Sequence, residues 1–253
     1  MRALACLLFF VASASCFAQT AQPDYAREKR WADEITPAIL VGDPLYLALK
    51  SGHKFLALHA PNPKARAGVI VVHGLGVHPD WNLINVLRSR LAEQGYTTLS
   101  VQMPVLAADA KVESYTALFP EAAERLQAAV VYLQEKGHRR IAVVSHSLGS
   151  RMVNYFLAAV HDRGSADAVN AWVSVGINSG VYLHAETFRA PVLDIYGDKG
   201  FPVVMENAAK RAEAIRHVRG SGQMSVAGAD HYFNGMEGEL VRYVKRFLDN
   251  ITR

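Results

Sequence analysis

The sequence predicts an α/β fold: a mostly parallel central sheet with helices on both faces, an N-terminal antiparallel hairpin and no large lid. Three observations lead there. From residue 67 onward, short β-branched runs alternate with stretches of helical periodicity, the order that wraps a parallel sheet between two helix layers. Runs such as 67–72 and 140–144 are apolar almost throughout, as strands buried on both faces are. No connection between these elements is long enough to fold as a separate lid. The 253 residues, 51% of them hydrophobic, suit a single large domain, and no linker, repeat or low-complexity run divides the chain.

Taken in order, residues 1–18 read as an export signal. Arg2 supplies the positive start, residues 4–12 the apolar core, and Cys16-Phe17-Ala18 a small-x-small cleavage site before Gln19. That core is too short to span a bilayer as a stable helix. Cleavage after Ala18 would remove Cys6 and Cys16, the only cysteines, and leave no disulfide or thiol chemistry. Lipidation of Cys16 is the alternative, disfavoured because Ser13-Ala14-Ser15 lacks an aliphatic residue. The expected localisation is therefore exported, periplasmic or secreted, with no transmembrane helix later in the chain.

Polar residues 19–37 are expected as an extended lead-in to one domain over 38–253. Residues 38–49 and 54–60, joined by Ser51-Gly52-His53, read as the hairpin. Strand 67–72 ends in His73-Gly74-Leu75-Gly76. Trp81, Ile84, Leu87 and Leu91 follow at helical spacing, with Gly95 as a stop. Strand 97–103 comes next, then a stretch to 119 without a clear period, where Tyr115 and Phe119 either wall a pocket or simply pack. Pro120 opens a helix carrying Ala122, Leu126, Val130 and Leu133, closed by Gly137. Strand 140–144 leads into a small-residue turn and a helix striped with Leu148, Met152, Phe156 and Ala159. Two further strands, 171–177 and 191–196, precede a helix over 204–217, a strand over 224–227 and a final helix bearing Leu240, Val244, Phe247 and Leu248. The formal charge of +4 comes from scattered lysines and arginines, densest over 136–140. That scatter describes a solvated face and no nucleic-acid-binding stripe.

Ser145-His146-Ser147-Leu148-Gly149 lies where a buried strand turns sharply into a helix, the setting of a nucleophile elbow. Ser147 is the candidate nucleophile. The usual G-x-S-x-G reads S-x-S-x-G here, and the small flanking residues matter because strand and helix pass close to so tight a turn. A serine hydroxyl is weak until a base takes its proton and a carboxylate orients that base, and in such folds the chain order is Ser, acid, His. His231, in Gly228-Ala229-Asp230-His231 between the last strand and the last helix, is the candidate base. An oxyanion needs two backbone donors at one point, and the N–H groups of Leu75 and Leu148 are the candidates. His73 is expected to brace its loop.

Together Val71-Val72-His73-Gly74-Leu75-Gly76, Ser145 to Gly149 and Gly228 to His231 resemble the α/β-hydrolase superfamily, over almost the whole chain from residue 38. Within it the chain is similar to an uncharacterised exported bacterial family. The resemblance implies the α/β-hydrolase fold and acyl hydrolysis of a small-molecule substrate (esterase, thioesterase, lipase or peptidase type) with no metal or organic cofactor. It also exposes a departure. After the penultimate strand the superfamily reads Gly-x-x-Asp, whereas Gly197-Asp198-Lys199-Gly200 puts glycine at the acid's place. Asp198, two residues early in the same turn, is the first candidate acid, Asp194 the second and Glu206 the third. A Ser147–His231–Asp198 triad predicts a serine esterase whose activity falls as His231 protonates near pH 6 to 7, the ordinary histidine range of about 6.5. The competing reading is a hydrolase-shaped binding or envelope protein with a degenerate triad.

Overall fold

A computed structural model of the protein describes residues 22–162, 169–179 and 181–251. The expected export signal, with both cysteines, lies outside the described residues. Eight strands form one sheet in the order β1-β2-β4-β3-β5-β6-β7-β8. They are β1 (Asp43–Ala48), β2 (Lys54–Ala60), β3 (Gly68–Val72), β4 (Thr97–Val101), β5 (Ile141–His146), β6 (Ala171–Val175), β7 (Val192–Lys199) and β8 (Gly222–Asp230). The hairpin β1/β2 and the β2/β4 pair are antiparallel, and all other neighbours are parallel. This is the α/β-hydrolase architecture that the sequence predicts.

The apolar strands are buried on both faces because their alternate side chains feed two cores. Ile70, Val72 and Val143 enter one core with Leu126 and Val130 of α3 (Phe119–Glu135) and Met152 and Phe156 of α4 (Leu148–Asp162). Val69, Val71 and Val144 enter the other with Leu83 and Leu87 of α2 (Asn82–Glu93) and Leu240 and Val244 of α7 (Glu237–Ile251). Chain order reverses between β3 and its neighbours: the chain leaves β3 for β4 on one side and returns to β5 on the other. In parallel sheets the crevice at the carboxyl ends of strands flanking such a reversal is where ligands bind. His73-Gly74-Leu75 leaves β3 there, and Ser147 leaves β5.

Two expectations are corrected. The stretch expected as an extended lead-in contains α1 (Tyr25–Ile35). Asp24 caps it by accepting from the Arg27 N–H at 2.8 Å, and Ala32 packs with Leu56 and Leu58 of β2 while Trp31 rests on the α3 core. The helix is charged because its polar residues are used: Glu28 is buried and accepts from Arg125 of α3 at 2.9 and 3.1 Å. Arg125, fully buried, also donates to Glu121 and to the Gln102 carbonyl. Arg125→Ala would strand the Glu28 carboxylate, a loss of about 3–5 kcal/mol. Thermal denaturation should show the midpoint falling by about 10 °C; an unchanged midpoint would show that the pair does not hold α1 down.

The second correction concerns the single helix expected over 204–217. It is two, α5 (Pro202–Glu206) and α6 (Ala208–Ile215), broken at Asn207, whose side-chain amide donates to the Val203 carbonyl at 3.0 Å. Such local bonding competes with the helix ladder.

Candidate functional site

The turn from β5 into α4 holds Ser147 at φ 54°, a left-handed conformation rare for a residue with a side chain. Strain of this kind, of order 1–3 kcal/mol, gathers at functional sites. The turn is tight enough that a Cβ at Gly149 would stand 2.2 Å from the His73 carbonyl oxygen, so only glycine fits. Position 145 is different. Ser145 Oγ accepts from the Trp172 indole N–H at 2.8 Å and lies 2.9 Å from Ser150 Oγ, so the hydroxyl that replaces the pattern's first glycine is housed in a buried polar contact.

His231 follows β8 and turns its Nε2 to 2.9 Å from Ser147 Oγ. Two residues 84 positions apart are thereby within proton-transfer distance. Both are buried. Burial pushes the His231 imidazole down to about 3, with neighbouring His146 adding to the effect and Asp230 opposing it. This direction moves the fall in activity expected at pH 6 to 7 toward lower pH. A base with a depressed pKa stays neutral, and so competent, until the pH falls well below the ordinary histidine range.

The loop after β3, which carries the candidate donor Leu75, is built from glycine and histidine. A Cβ at Gly74 would lie 3.3 Å from Ser147 Cβ, which is how closely the loop after β3 approaches the elbow. His73 braces that loop: its Nδ1 lies 2.9 Å from the Gly74 carbonyl, to which it donates, and its Nε2 accepts the Met103 N–H at 2.8 Å. Arg27 of α1 donates to the Gly76 carbonyl at 3.2 Å, so the helix missed from the sequence also supports the loop. Leu148 is the first residue of α4, and its N–H and that of Leu75 meet no acceptor among the described residues. A free N–H at the start of a 15-residue helix is suited to a developing negative charge.

None of the three candidate acids is brought to His231. The sequence treats Asp198 as a loop residue, but β7 continues through Lys199, which pairs with Asp230 across a bulge. Asp198 is thus exposed on the strand, and its carboxylate accepts the Gly228 N–H at 2.7 Å. Asp194 is fully buried and accepts from Arg211 Nε at 2.9 Å and from Gln223 at 2.7 Å, a structural ion pair. Glu206 ends α5, exposed. Among the described residues no carboxylate accepts a hydrogen bond from His231, and no three His, Cys, Asp or Glu side chains group as metal ligands.

Two neighbours of His231 were not singled out by sequence reasoning. His146 Nε2 donates to the His231 carbonyl at 3.0 Å, and the Phe201 ring stacks on the imidazole with centroids 4.0 Å apart. His146 lies inside the elbow motif, but nothing in the motif asks for it. Phe201 carries no sequence signal except its place after Gly200.

With this geometry in view, comparisons with known proteins support the fold. A family model described as "Protein of unknown function (DUF3530)" matches residues 2–124, ending before Ser147. No curated protein matches the chain. Among solved structures, dienelactone hydrolase from Anabaena variabilis is 19% identical with a TM-score of 0.66, over 83% of this chain and 97% of that one. XC6422 from Xanthomonas campestris, described as an α/β serine hydrolase without lid, is 15% identical with a TM-score of 0.65, over 84% and 95%. The esterase Pf2001 of Pyrococcus furiosus is 15% identical with a TM-score of 0.66, over 83% and 93%. The chain has the α/β-hydrolase fold, in a form similar to those without a lid.

Proposed function

We propose that this protein is a serine hydrolase that cleaves carboxylic esters or related acyl compounds with a Ser147–His231 pair. One observation carries the reading: a strained serine at an elbow, its Oγ 2.9 Å from an imidazole nitrogen delivered by a distant loop. Ser147 Oγ attacks the acyl carbonyl carbon as its proton passes to His231 Nε2. The carbonyl oxygen, now negative, accepts hydrogen bonds from the Leu75 and Leu148 N–H groups. Collapse expels the alcohol, which takes the proton from His231, and water then releases the acid from Ser147 by the same steps. The fold's likeness to esterases and a dienelactone hydrolase supports a small acyl substrate. The competing reading, a binding protein of hydrolase shape, is favoured only by the lack of a carboxylate on His231 among the described residues.

Hydrolysis of a short-chain aryl ester distinguishes them. The purified protein should turn the ester over and Ser147→Ala should not, whereas equal rates in the two would end the enzyme reading. Export belongs to the same proposal. Mature protein recovered from outside the cytoplasm should begin at Gln19, and a protein retained in the cytoplasm with Met1 intact would refute it.

A further inference from the structure

Building on the Ser147–His231 reading, we infer that Phe201 is a positioning residue that, with His146, holds the His231 imidazole in the place a carboxylate would otherwise hold it. Among the described residues Nδ1 of His231 has no hydrogen-bond partner, and an imidazole so placed is free to rotate about its outer torsion, which would take Nε2 away from Ser147. Here each side of the ring is met. Phe201 lies flat on it at 4.0 Å with 21° between planes. Tyr232 stands edge-on at 5.1 Å and 82°, and His146 is tilted at 4.9 Å. At the Nδ1 edge is the main chain of Gly176, where a Cβ would come within 3.2 Å of Nδ1. The backbone of His231 is fixed as well, by the bond from His146 Nε2 to its carbonyl.

Phe201 meets the Tyr232 ring edge-on at 6.2 Å, but its close stack is with the imidazole. It is 43% exposed, and it occupies the N-cap of α5, a position that favours Ser, Thr, Asp or Asn and where its side chain caps nothing. A ring at that position gives up the cap, and its one close ring stack is with the base. It also follows Gly200 directly, so the residue beside the empty acid position is the one that covers the imidazole.

The titratable groups facing the imidazole are Ser147 and His146 from the end of β5, Asp230 before it on β8 and Tyr232 after it, while Asp198 and Lys199 of β7 are exposed. Removing the stack loosens and wets the ring without altering this set.

The test is Phe201→Leu beside Phe201→Tyr, with ester kinetics across pH and fluorophosphonate labelling of Ser147. Phe201→Leu should lower kcat about tenfold with KM within about twofold, slow labelling in parallel, and move the acid-side inflection up toward the ordinary histidine range. Phe201→Tyr, which keeps the stack, should restore all three, and the melting midpoint should hold in both because the ring is half in solvent. A raised KM with kcat and inflection unchanged would make Phe201 a substrate wall and overturn the inference, as would no change at all. If the unaltered protein neither labels at Ser147 nor turns over ester, it is the underlying hydrolase reading that has failed.

Discussion

Gly200→Asp is expected to raise kcat for an aryl ester by about two orders of magnitude. Losing the carboxylate from a serine triad costs about four orders, and a carboxylate installed without its supporting shell recovers part of that. Position 200 can receive it. The backbone there is not left-handed, a Cβ would stand 3.9 Å from the Cα and N of His231, and its tightest contact, the Gly197 oxygen at 3.0 Å, asks for a shift of a few tenths of an ångström. A carboxylate near Nδ1 fixes the tautomer that leaves Nε2 free to accept the Ser147 proton, and it stabilises the imidazolium that results. It also favours the charged form and so raises the histidine pKa. The unaltered protein should keep its activity from neutral pH down to about 5, losing it as His231 protonates toward about 3. The variant should lose it at higher pH. Equal turnover and an unmoved profile in Gly200→Asp would show that orientation of the imidazole does not limit the reaction.

His231→Ala in the unaltered protein should lower turnover by about two orders of magnitude, far less than the same change costs a complete triad. Triad members act as a unit: removing the base alone costs about six orders and removing the acid alone about four. A pair with no carboxylate on its imidazole among the described residues therefore has about two orders left to lose. The same substitution placed on Gly200→Asp should cost about four, because the added carboxylate acts only through the imidazole. Steady-state ester kinetics on the four proteins give the coupling directly. Additive losses would mean that residue 200 acts on something other than His231.

Much of this was legible in the chain. Val69 to Val72 and Ile141 to Val144 face cores on both sides, so their apolar runs announced parallel strands, and Gly149 announced a turn that admits no Cβ. Ser147 is legible from the S-x-S-x-G motif in a strand-turn-helix setting, and His231 from its place between the last strand and the last helix. What was not legible depends on contacts distant in sequence. Helix α1 looked like a polar lead-in because Glu28 shows its purpose only beside Arg125, 97 residues on. Asp198 looked like a loop acid because the bulge that carries β7 through to Lys199 depends on Gly197 lying against the Ala229 oxygen of β8, a close approach written in neither strand. Phe201 could not be found from its neighbours, since stacking on a histidine 30 residues away leaves no periodic trace.

We propose that Ser147 and His231 form the working pair and that the Asp198 carboxylate does not drive it. The direct measurement is the rate of fluorophosphonate modification, mapped to the modified peptide, in the unaltered protein, His231→Ala and Asp198→Asn. An adduct on Ser147 should form at the same rate in the unaltered protein and in Asp198→Asn, and about a hundredfold more slowly in His231→Ala. Loss of labelling in Asp198→Asn, or labelling undiminished without His231, would contradict it.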